Sequence, residues 1–465
     1  MLFNSQGFIL GFLPVVLCTY YAVAGNRAAR EGLLVCASIF FYGMWDPRFV
    51  PLLLLLTTAN WGIAVWFGRK RARWIPSLGI IMNLAVLGVV KYSDFIRGSI
   101  FELAHQRWTP WHLILPLGIS FFVFQKISYL VDLRSGKAEV VGLLDFALFV
   151  QFFPQLIAGP IVRHNEIVPQ FRTDPHSAEM WENIGRGLTL FTIGVFKKVA
   201  IADTLAPFID SGYSASASMP PSIFGAWTVV FAYGLQLYFD FSGYSDMAIG
   251  LGRMFGFRLP HNFNAPYRAA SIQEFWRYWH MTLSRFLRDY VYIPLYARLT
   301  IAGPRTSMSR QGTAMVITML LAGLWHGAGW TFVAWGGMHG LALAVNQAWN
   351  RWGFRLPRLL TVTMTQLFVF TSLILFRAPT FREAATMARG LAGLHGTDGI
   401  SIPNEVALAL VLGAGFATIG PTSQRVALVL IRPSQWIAVS VGLTLSWLLV
   451  LIGGRLPNVF IYFQF

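Results

Sequence analysis

Apolar runs long enough to cross a hydrocarbon core of about 30 Å recur along the whole chain, separated by short loops rich in Lys and Arg. This pattern predicts an all-α polytopic membrane protein of about 10–12 helices. No polar stretch is long enough to fold as a separate soluble domain, so residues 1–465 read as a single membrane domain. Met1 to Gly25 lacks a basic flank and a small-residue cleavage site, and is expected to be a retained first span instead of a signal peptide.

The basic clusters set the expected orientation. Arg27 and Arg30 follow the first span, Arg69 to Arg73 a third, and Arg134 with Lys137 a fifth; later clusters run over Arg163 to Arg172, Arg253 to Arg310, Arg351 to Arg358, and Arg425 with Arg432. The Pro207 to Ser222 loop has neither Lys nor Arg. With basic loops on the cytoplasmic side, the amino terminus lies outside, and so does the end of the last span, near Ser434 to Gly453. Arg377, Arg382 and Arg389 run against this assignment. Two stretches break simple alternation. Val141 to Ile161 contains Pro154 and Gly159-Pro160 and is expected to enter and return on one side. Ile272 to Leu295 mixes Arg277, Arg285 and Arg288 with aromatics at helical spacing, which predicts an interfacial or half-buried amphipathic helix. Both are expected to border an internal cavity, because irregular backbone at membrane depth needs cover.

Composition agrees with this class and narrows the chemistry. The chain is 55% hydrophobic and 12% charged, and its net charge of +16 is spread over the loops, as orientation requires, with no patch that points to nucleic acid. Cys18 and Cys36 have no metal-ligand or disulfide spacing and are expected to pack as small hydrophobes. Phosphate-binding and dinucleotide-binding glycine motifs are absent from the sequence.

The polar residues inside apolar sequence are the candidates for function. His326 stands in Leu324-Trp325-His326-Gly327-Ala328-Gly329-Trp330, where the glycines allow a sharp turn or a close ligand. A neutral imidazole there can serve as a general base, and a core histidine bonded to a neighbouring helix is the alternative. His280 lies in the amphipathic segment and could meet substrate beside His326, or simply pack. His339 follows His326 by 13 positions, which is not the spacing of a helical metal pair, and no metal site is expected. Asp240 and Asp246 flank Ser242 and Tyr244 in a strongly apolar stretch. They could relay protons or cations in a transporter, or accept hydrogen bonds structurally. The arginines between Arg253 and Arg310 could hold a phosphate-bearing donor, or only mark topology.

Longer motifs identify a relationship. Trp325-His326-Gly327-Ala328 with Trp330-Thr331-Phe332, the stretch Phe239 to Asp246, and Phe275 to His280 with Leu283 to Tyr290 resemble the membrane-bound O-acyltransferases, most closely the bacterial alginate O-acetyltransferase type. Leu115 to Phe121, Phe152 to Pro160 and the terminal Phe460 to Phe465 extend the resemblance over about residues 115–465. It implies a helical bundle enclosing a transmembrane tunnel in the bacterial inner membrane. It also implies catalytic His326 and His280; Trp325, Asp240, Tyr244, Arg277 and Arg285 are the expected substrate contacts. No tightly bound cofactor is implied; the expected donor is acetyl-coenzyme A. The expected acceptor is a hydroxyl of an exported glycan, with alginate, cellulose and peptidoglycan all open, reached through a periplasmic acyltransferase partner. D-alanyl transfer from a carrier protein is the alternative within the family, and a transporter or flippase using Asp240 and Asp246 the alternative outside it.

Overall fold

The computed structural model describes residues 1–216, 219–300, 308–454 and 460–461. Arg305 of the basic cluster and residues 462–465 of the terminal motif lie outside the described residues. The all-α reading holds, with no strand among the described residues. The helices Pro47–Lys70, Trp74–Leu103, Arg358–Arg377 and Gln435–Gly453 are long and apolar enough to cross a membrane. They bury little of themselves in protein, only 6% for the apolar window of Gln435–Gly453. Ile223–Met254 is the opposite case: it carries Asp240 and Asp246, and is buried without a break from Ala232 to Gly252. A helix surrounded by protein can keep polar residues that a helix facing lipid cannot.

Two compact units emerge, each stitched from three segments. The first comprises Met1–Val195, Tyr244–His261 and Ser423–Pro457. Its Val50–Lys70 and Trp74–Leu87 helices are joined through Arg71, which adopts a left-handed conformation. Buried Asn60 and Asn83 hydrogen-bond across this pair at 2.6 Å, polar glue of the kind used between apolar helices. The stretch expected to re-enter is a broken helix, Leu143–Gln151 then Phe153–Leu156, fully buried from Leu148 to Val162. The freed amide of Phe153 donates to Ser38 Oγ at 3.0 Å, so protein covers the break. Gly118, at φ +70°, comes so near Leu156 and Ile157 that a Cβ would meet their backbone.

Several expectations need correction here. Arg30 does more than mark topology: it is buried and donates to the carbonyls of Ala24, Phe171 and Thr173. Cys18 and Cys36 are not packed inside; both are free and exposed on the outer surface.

The second unit comprises Phe196–Gly243, Asn262–Thr422 and Asn458–Phe465. Most of the stretch expected as a loop from Pro207 is helical, within Asp203–Ser216, with Pro207 near its start. The single amphipathic helix expected over Ile272 to Leu295 is instead Ile272–Tyr278, a break at His280, Met281–Leu287 and the π-helical turn Arg288–Tyr292.

Candidate active site

The site lies within the second unit and is built by two devices. The first is the helical hairpin Met308–His326 and Trp330–Trp352, joined by only three residues. Its helices touch through glycine. A Cβ on Gly323 would overlap the Phe332 carbonyl, one on Gly336 the Met319 carbonyl, and one on Gly340 the Val316 backbone. Gly336 and Gly340 form a small-xxx-small pair, which lets membrane helices approach closely. The tight turn leaves His326 as the last residue of the first helix, 2% exposed. Its ring is enclosed by Trp325, Trp335 and Phe376, with centroids at 4.9, 5.2 and 5.2 Å. The indole N–H of Trp335 is buried and has no hydrogen-bond acceptor among the described residues.

The second device is the break at His280. Ser271 caps the preceding helix by accepting from the Glu274 amide, and that helix stops at Tyr278. His280 then turns left-handed, at φ 41° and ψ 54°. Asn262 holds this conformation. Its carbonyl accepts from the Met281 amide at 2.9 Å, and Asn264 N–H donates to Tyr278 O at 3.0 Å. The Asn262 side-chain oxygen accepts from the amide and hydroxyl of Thr282, and lies 3.0 Å from His280 Nδ1. A backbone amide can only donate, so the atom facing it must be the Asn262 oxygen. His280 Nδ1 therefore carries a proton, and in the neutral ring Nε2 holds the lone pair.

His339 is arranged the other way. Trp276 Nε1 donates to His339 Nδ1 at 3.2 Å, and His339 Nε2 lies 3.0 Å from Ser372 Oγ, which donates to Val369 O at 2.7 Å. An indole N–H is a donor only, so Nδ1 is the acceptor and the proton sits on Nε2. His339, Trp335 and Phe376 line a small crevice together with Trp279 and Tyr267.

The expected substrate contacts have the following surroundings. Trp325 lies beside both His326 and, at 6.1 Å between centroids, His280. Arg277 is exposed and Arg285 half-buried, on either side of the His280 break. Asp240 is fully buried: its carboxylate meets Lys198 Nζ at 2.6 Å and accepts the Ile461 amide at 2.8 Å. Lys198 also pairs with Asp203 at 2.7 Å. Tyr244 belongs to the first unit, where it stacks on Phe3, and Asp246 accepts there from Gln424 at 2.7 Å. Six residues apart on one helix, the two aspartates take different partners.

Asn262, Phe376 and Ser372 went unnoticed in the sequence. Asn262 left no usable signal, since it stands 18 positions before His280 in a separate loop. Ser372 left none, because a lone serine in an apolar helix is ordinary.

Comparison with known proteins identifies the family of the chain. The family model described as MBOAT, membrane-bound O-acyltransferase family, matches residues 78–382, which include His280, His326 and His339. The peptidoglycan O-acetyltransferase of Helicobacter pylori is 40% identical over 433 residues, covering 85% of this chain and 80% of the relative. The Azotobacter vinelandii protein named "Probable alginate O-acetylase AlgI" is 43% identical over 359 residues, 75% of this chain and 69% of the relative. The teichoic acid D-alanyltransferase of Streptococcus thermophilus is 27% identical over 355 residues, 74% and 81% of the two chains. With a family match over most of its length and relatives 40% and 43% identical named for O-acetyl transfer, this chain belongs to the membrane-bound O-acyltransferase family and is an O-acyltransferase.

Proposed function

We propose that the enzyme moves an acetyl group from cytoplasmic acetyl-coenzyme A toward a hydroxyl of an exported polysaccharide, through a tunnel in the bacterial inner membrane and with a periplasmic acyltransferase partner. The observation that carries this reading is His326, an imidazole enclosed by aromatic rings in a chain 40% or more identical to proteins named for O-acetyl transfer. Identity to the D-alanyltransferase is lower, 27%, and favours acetyl over D-alanyl.

In the proposed reaction neutral His326 takes the proton of the attacking hydroxyl, oxygen bonds to the thioester carbon, and the coenzyme leaves as its thiol. The aromatic enclosure excludes water that would hydrolyse the thioester. His280, with its lone pair on Nε2, is suited to accept a hydrogen bond from a reacting hydroxyl or thiol. The developing oxyanion needs a donor, and the buried N–H of Trp335, on the ring beside His326, is the candidate. Arg277 and Arg285 are suited to the coenzyme phosphates. The distribution of basic loops supports an amino terminus on the periplasmic side.

The test uses membrane vesicles holding the full chain and labelled acetyl-coenzyme A, with release of coenzyme thiol as the readout. His326→Ala should lower turnover by about 10²–10⁴-fold. Equal turnover in the variant removes His326 as the base, and preference for a carrier-bound D-alanyl thioester over acetyl-coenzyme A replaces the donor.

A further inference from the structure

His339 is fully enclosed, and both of its nitrogens are committed. The direction of every bond in its chain is forced: Trp276 N–H to His339 Nδ1, His339 Nε2–H to Ser372 Oγ, and Ser372 O–H to the Val369 carbonyl. Adding a proton at Nδ1 would set two donors against each other at 3.2 Å, so the ring cannot serve as an acid or base without breaking the chain. The chain joins three helices, Ile272–Tyr278 through Trp276, Trp330–Trp352 through His339, and Arg358–Arg377 through Ser372. Two of these carry the surroundings of the histidines. Trp276 lies four residues before His280 on the segment that breaks there, and Trp335, four residues before His339, packs against both His339 and His326 at 4.7 and 5.2 Å.

We infer that His339 is a positioning residue of the acyl-transfer site, which clamps the Trp276 helix to the hairpin and thereby fixes where the His280 ring stands relative to the His326 enclosure. The Ile272–Tyr278 helix is short, and its far end is a left-handed turn held by Asn262. A helix of two turns has little stability of its own, so its position depends on side-chain ties. Asn262 ties the His280 end, and His339 ties the body. This inference rests on the reading of His280 and His326 as the reacting pair.

The experiment compares His339→Phe, which keeps a ring and removes both bonds, with His339→Gln, which can still accept from Trp276 and donate to Ser372. The probe is labelled acetyl-coenzyme A with the full chain in vesicles, and His326→Ala is run alongside. His339→Phe should lose about 10–100-fold in kcat with KM changed little, as displacement of a reacting group does, and His339→Gln should recover most of it. A measurement independent of turnover uses ring-15N-labelled histidine in detergent. The wild type should show His280 with a protonated Nδ1 and an unprotonated Nε2, and His339→Phe should move these resonances while His339→Gln leaves them in place. Unmoved His280 resonances in His339→Phe overturn the positioning role whatever the turnover. A Gln variant as inactive as the Phe variant, with His280 unmoved in both, makes His339 a reacting group instead. If wild type and His326→Ala consume acetyl-coenzyme A equally, the proposed chemistry fails, and the His280 resonances still decide the clamp.

Discussion

The turn at His326 and the break at His280 place two imidazoles in one site by opposite means. At His326 the placement comes from missing side chains: Gly323, Gly336 and Gly340 let two backbones meet, and the connection is so short that the histidine ends inside an aromatic enclosure. At His280 it comes from polar side chains, since Asn262 and Thr282 hold a left-handed residue against its own backbone preference. The first device is steric and indifferent to protonation. The second is chemical, and it also selects which nitrogen of His280 carries the proton.

Substitutions can separate the two devices. The largest loss of stability is expected at Gly336→Ala, whose Cβ would overlap the Met319 carbonyl and force the hairpin apart at a cost of about 1–3 kcal/mol. Thermal unfolding in detergent should show the loss, whereas Gly337→Ala, whose Cβ would stand 3.3 Å from the flexible end of Leu320, should unfold like wild type. Similar stability for both variants would mean that the glycine contact does not organise the hairpin. Next is Trp335→Phe, which keeps the ring and removes the N–H. If that N–H receives the oxyanion, kcat should fall by about 10²–10³-fold at nearly constant KM. An unchanged kcat would assign the donor elsewhere.

The smallest effect is expected at Asn262→Ala, which frees His280 without touching the hairpin. Turnover should fall by about ten-fold, with the His280 ring losing its fixed tautomer in 15N spectra. Asn262→Asp, which keeps an acceptor, should hold the tautomer. If Asn262→Ala instead lowers the unfolding temperature as much as Gly336→Ala, the break at His280 is a structural joint first and the contrast between the two devices disappears.

Much of this was legible in the chain. Apolar periodicity settles the helical membrane class because lipid cannot hydrogen-bond a backbone, and the Pro154 and Gly159-Pro160 breaks appear where expected. His326 could be singled out because an imidazole among apolar residues needs a reason. The continuous amphipathic helix over Ile272 to Leu295 failed for a specific cause. Its periodicity is helical on both sides of His280, and the interruption is imposed by Asn262, a residue outside the segment. Asp240 and Asp246 looked like a pair because they are near in sequence, yet their partners, Lys198 and Gln424, arrive from distant parts of the chain.

The sequence by itself determined the membrane class, the helical fold, the family and the residue most exposed to suspicion, because these depend on residue type and local spacing. Only the tertiary structure decided which nitrogens of His280 and His339 carry protons and which aromatic rings enclose His326. A histidine tautomer is set by whatever donor or acceptor reaches each ring nitrogen, and the atoms that do so here come from Asn262, Trp276 and Ser372, at sequence separations of 18, 63 and 33 residues.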